Sequence, residues 1–162
     1  MKEELLNQYS HTWKMFFCMV SDFDDVSWTN TGCSYIIPAR ISYHIIGGVN
    51  YYIENEQPVE LQSGKNNDWN WEKGEIENQP TREDIKDLIG KYKVWTEKWI
   101  QEMNFEDSNT KFEWTGENKI SVVLFLLRHM EYHIGELNLL LNISRNGEAN
   151  DNWIKAFDDI RV

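Results

Sequence analysis

The segment SVVLFLLRHMEYHIGELNLLLN, Ser121 to Asn142, reads as one strongly apolar helix and places His129 and His133 four residues apart on it. Residues i and i+4 of an α-helix lie about 40° apart around the axis and about 6 Å apart along it, so two imidazoles at this spacing can close on one metal ion. At 3.6 residues per turn, Val122, Leu126, His129, His133, Leu137 and Leu140 form a continuous stripe. Arg128, Glu131, Gly135 and Asn138 fall on the opposite side. Both histidines are therefore expected to face the core, where an uncharged imidazole needs a partner for each ring nitrogen. A hydrogen-bonding group is the ordinary partner of a core histidine; a metal ion is the other. The HxxxH spacing lacks the glutamate that serves as general base in HExxH proteases, which argues against a zincin.

Outward from this segment, the chain carries three more amphipathic stretches. Leu5, Leu6, Tyr9, Trp13, Phe16, Phe17, Val20 and Phe23 recur at three- and four-residue steps, predicting a first helix from Glu3 to about Phe23. His11 and Cys18 project from its other side, so His11 reads as a surface or subunit-contact residue. The SDFDD and SWTNTGCS clusters supply turn chemistry after it. A second helix is expected from Pro38 to about Glu54, with Ile37, Ile41, Ile45, Gly48 and Tyr52 inward and His44 at the edge of that face. Gly47 and Gly48 each cost such a helix about 1 kcal/mol against alanine. Either tight helix packing or the close approach of another backbone or a ligand would account for them.

Residues 55–80 form a long polar connection, able to run the length of a helical bundle and deliver the third helix parallel to the second. Trp69 and Trp71 within it read as anchors to the helices or as a pocket wall. Thr81 and Asp84 open the third helix with a variant of the capping box, and Ile85, Leu88, Ile89, Tyr92, Trp95, Trp99 and Met103 keep one face. After the helix bearing the histidine pair, Trp153, Ile154 and Phe157 suggest a short tail helix docking back. The fold class expected is all-α: one domain over residues 1–162, with four long helices and one long crossover between the second and third. Bundles of this kind build metal sites from facing helices, which makes His44, His129 and His133 the candidate ligands. Three neutral imidazoles suit zinc, nickel or ferrous iron and leave a coordination position open, as catalytic sites do. Such an ion generates a nucleophile at neutral pH by lowering the pKa of bound water or ionising a bound thiol. Glu136, one turn from His133, is positioned to orient a ligand or act as a base, or else is simply solvated.

Composition narrows the function classes. With 27 acidic against 16 basic residues, the formal net charge of −11 repels phosphate backbones, so nucleic acid is not an expected partner. The two cysteines, Cys18 and Cys33, have neither CxxC spacing nor a disulfide pattern, which suits a reducing, cytoplasmic setting. No run has the length of a membrane span, and the acidic N-terminus is unlike a signal peptide. Met15, Cys18 and Met19 lie close together on or near the side of the first helix that the core stripe leaves unused, an expected contact surface for a homodimer.

RHMEYHIGELNLLL, Arg128 to Leu141, resembles the fourth-helix pattern of the DinB-like (YfiT-type) four-helix-bundle proteins. ARISYHIIGGVNYYI is similar to the second-helix segment carrying that family's first metal histidine. DWNWEKGEIENQPTRED resembles its linker into the third helix, and NGEANDNW its tail. The resemblance implies an up-down-down-up bundle, a metal triad of His44, His129 and His133, a divalent ion that is often zinc or nickel, and commonly a homodimer. It also implies activities ranging from thiol-dependent S-transfer to metal-dependent hydrolysis, with a small thiol or electrophile as the molecule bound. Tyr132, where many relatives have histidine, and Glu136 in place of glutamine are departures outside the triad. The alternative is a stress-related metal-binding or dimerising protein without catalysis.

Overall fold

The computed structural model describes residues 1–29, 36–63 and 79–157, and among them it is helical with no strand. Four helices are long: α1 (Lys2–Asp22), α3 (Pro38–Tyr52), α4 (Arg82–Glu102) and α5 (Lys119–Ser144). Two are short, α2 (Asp25–Thr29) and α6 (Asn152–Lys155). α1 packs on α4 and α5, and α3 packs on the same two helices. Tyr9, Trp13, Phe16 and Val20 of α1 recur at 4-3-4 steps and are fully buried with Ile45 and Val49 of α3, Ile89 and Tyr92 of α4, and Leu126 and Met130 of α5. The Tyr9 hydroxyl donates to the carbonyl of Val123 at 2.6 Å, fixing α1 against α5 while satisfying a buried O–H.

Helix boundaries follow local chemistry. Pro38 occupies the first turn of α3, where its missing N–H costs nothing. Thr81 caps α4 reciprocally: its hydroxyl accepts from Asp84 N, and the Asp84 carboxylate accepts from Thr81 N at 2.9 Å. Asp84 also accepts from the backbone N and the hydroxyl of Ser63, both at 2.8 Å, tying the preceding connection to the cap. Between α4 and α5 the polar segment is ordered around Asn109, whose amide donates to the carbonyls of Phe112 and Gly116.

Several expectations need correction. The cluster after α1 does end that helix, but it also starts α2, because the Asp24 carboxylate accepts from the N–H groups of Val26 and Ser27 as an N-cap does. Cys18 and Met19 are buried, so they do not form an outward contact face on α1. For Met19 the cover is α6, which packs on α1 and sets the Asn152 amide against Met19 Sδ at 3.5 Å and Asp22 at 3.1 Å. That tail docks through Asn152 and Ala156, whereas Trp153, Ile154 and Phe157 remain exposed. Trp69, Trp71 and Cys33 lie outside the described residues. No described helix is long and apolar enough to cross a membrane.

Candidate metal centre

The centre of α5's buried side is held by Met130 and Ile134, both essentially inaccessible, together with Val123, Leu126, Leu137 and Leu141. His129 and His133 stand on the flank of this stripe that faces α3, partly buried, rather than within the core as the helical pattern suggested. From α3, His44 enters the same flank, and the three rings converge with centroids 4.5 to 5.1 Å apart. Each ring offers one nitrogen such that all three lie within 4.8 Å of one another. His44 Nε2 and His129 Nε2 are 3.1 Å apart. Two nitrogens each about 2.0–2.1 Å from a shared zinc ion, at angles between 90° and tetrahedral, would be about 2.8 to 3.4 Å apart.

Gly48 is what allows this approach. A Cβ at that position would lie 2.6 Å from His129 Cε1 and 3.1 Å from its Nδ1, so a side chain there would displace the ring. The ligand approach that the glycine pair suggested is thus the approach of an imidazole, and it explains only one of the two residues. At Gly47 an added Cβ meets nothing within 4 Å.

His133 Nδ1 lies 2.7 Å from Glu136 Oε2. A carboxylate can only accept, so Nδ1 carries the proton and the Nε2 lone pair is left pointing away for a ligand. Of an orienting residue, a base and a solvated side chain, Glu136 therefore stands where the first would, as the partner of a histidine able to bind metal. Burial first, then the neighbouring His133 and His44, push the His129 pKa down to about 4. Burial also lowers that of His44, with His133 adding to the effect and Glu136 opposing it. Both rings are consequently neutral at pH 7, the form that donates to a metal. His129 Nδ1, over Gly48, has no hydrogen-bond partner.

Aromatic rings flank the triad on α5. Phe125 stacks near His129 with centroids 6.5 Å apart, and Tyr132 meets His133 edge-on at 5.0 Å. His11 is elsewhere, against Phe157 at 4.3 Å. Among the described residues, the donor set is thus three imidazoles on two facing helices, with one carboxylate behind them, and it fits a divalent ion of the zinc, nickel or iron type. Compared with known protein families, curated proteins and solved structures, the chain matches none.

Proposed function

We propose that this chain is a metal-dependent enzyme of the DinB-like kind, an up-down-down-up four-helix bundle in which His44, His129 and His133 hold one divalent ion. The observation that carries this reading is the convergence of three partly buried imidazoles from α3 and α5, with donor atoms within 4.8 Å of one another. A divalent ion bound there supplies Lewis acidity, which brings the pKa of water or a small thiol toward neutrality and so provides a nucleophile for attack on an electrophile. His44 and His129 contribute by staying neutral, and Glu136 by holding His133 in the tautomer that presents Nε2. With three imidazole donors among the described residues and rings that are not sealed in the core, a coordination position remains for the reacting molecule. Zinc and nickel suit an imidazole set best, with ferrous iron next.

The test is turnover of a panel of electrophiles by metal-loaded protein, with and without low-molecular-weight thiols. Activity is expected to require the metal and to disappear in His133→Ala. Retention of metal without turnover on any electrophile would favour a non-catalytic metal protein. Equal turnover after chelation would contradict the metal's role.

A further inference from the structure

On the outer side of the histidine cluster, Phe125, Arg128, His129 and Tyr132 enclose a surface cavity of about 200 Å³. The cavity adjoins the cluster: His129 is one of its walls, and Tyr132, another, meets His133 edge-on with centroids 5.0 Å apart. Phe125 lies nearly parallel to His129, at an interplanar angle of 13°. The helical wheel set Arg128 on the side away from the histidines, but its long side chain comes round to Phe125, where the guanidinium carbon lies 5.3 Å from the ring centroid. An arginine held over a ring in this way keeps its N–H fork free for a planar anion.

Arg82 and Arg145 pair with Asp25 and Asp22, whereas Arg128 pairs with no carboxylate among the described residues. The carboxylates next along α5 are engaged elsewhere: Glu131 accepts from the Thr12 hydroxyl of α1, and Glu136 faces His133 Nδ1. In a chain with a net charge of −11, an unpaired arginine beside three convergent imidazoles is a local positive spot. At 0.1 M salt, charges more than about 10 Å apart are largely screened, so this spot governs what binds next to it. The rest of the lining is rings. At about 200 Å³, below the range of about 300–1,000 Å³ for drug-sized sites, the cavity takes one small body.

We propose that this cavity seats the electrophile, and that the electrophile is a carboxylate-bearing molecule with an apolar body the size of a single ring. Arg128 takes the carboxylate through paired N–H groups, and Phe125 and Tyr132 flank the body. The inference rests on the reading of the histidines as a metal centre, since His129 then joins the seat to the ion. An apolar lining suits the electrophile better than a small thiol, whose polar groups would be left without partners there. Arg128 is thereby a specificity-determining residue: a neutral analogue leaves the guanidinium without its anion and gains only the ring contacts.

Magnetic resonance titration of the metal-stripped, chelator-free full chain with benzoate and with neutral benzamide tests the seat without an ion that would itself attract a carboxylate. Benzoate is expected to bind more tightly than benzamide, with backbone shifts centred on Phe125 to Tyr132. Arg128→Gln should weaken benzoate about fivefold, the scale of one exposed ion pair, while Lys98→Gln, the same charge change at an exposed site on α4, should not. Zinc-loaded protein is then given para-(chloromethyl)benzoate or its methyl ester, with mercaptoethanol, which has no carboxylate. Sulfur bonds to the benzylic carbon, chloride leaves with the C–Cl electron pair, and the thiol proton passes to solvent. The acid should be preferred by kcat/KM, and Arg128→Gln should bring the ratio of acid to ester toward one. Benzoate binding no tighter than benzamide, shifts centred elsewhere, equal benzoate binding by Arg128→Gln, or an acid no better than its ester would overturn the proposal. Failure of both electrophiles to react would instead count against the proposed function, and the benzoate titration would still decide the seat.

Discussion

The His129 ring lies directly on the backbone of α3 at Gly48. Gly48→Ala must move that ring and is expected to weaken zinc affinity at least tenfold. Gly47→Ala, which meets no described atom, should leave affinity unchanged and stabilise α3 by up to about 1 kcal/mol through helix propensity. Isothermal titration with zinc and thermal denaturation of the two variants separate these effects; equal affinities would contradict the packing argument. Glu136 offers a second residue-scale test. Glu136→Gln replaces an obligate acceptor with a weaker, neutral one at His133 Nδ1, and loss of such a partner typically costs about 10- to 100-fold in metal affinity. An unchanged affinity would show that the carboxylate does not hold the ring.

At the scale of the element, the start of α4 is a hydrogen-bonded unit built on Asp84. Burial raises its pKa, but bonds from the backbone and side chains of Ser63 and Thr81 outweigh this and hold the carboxyl below the ordinary range. The unfolded chain therefore takes up the proton first as the pH falls. The contribution is complete above the unfolded value of 3.8 and is lost as the pH drops through the lower folded value. Asp84→Asn should be clearly less stable than the parent at about pH 7, and the gap should narrow by about pH 3, as read by urea unfolding. A gap that widens in acid would reverse the assignment. This cap was legible in the sequence because both partners are three residues apart, and the long helices were legible because their apolar periods are unbroken over several turns. α2 was not, since a five-residue helix has no period to read and depends on the Asp24 cap. Nor did the wheel fix the rotation of α5. Leucine, isoleucine and tyrosine occupy all of its sides, so the true centre, Met130 and Ile134, could be separated from the histidine flank only once α1 and α3 were in place. Met19 was misplaced for a similar reason, because it is covered by Asn152 of α6, more than a hundred residues away in sequence.

At the scale of the whole molecule, the histidine cluster exists only when α3 and α5 are brought together, because His44 and His129 are separated by 85 positions in the chain. Binding of an ion to all three would therefore be linked to folding. An ion that binds the folded state alone stabilises it by about 2.7 kcal/mol at a free concentration one hundred times its dissociation constant. Zinc should raise the thermal midpoint of the parent and leave that of His44→Ala much less affected; an equal rise in both would place the ion elsewhere. The shared three-histidine site is tested most directly by X-ray absorption at the zinc edge of the stoichiometrically loaded protein. Three imidazole nitrogens at about 2.0–2.1 Å, with the outer-shell scattering of intact rings, is the result the structure predicts. A first shell containing sulfur at about 2.3 Å, or one with fewer than three imidazoles, would contradict it.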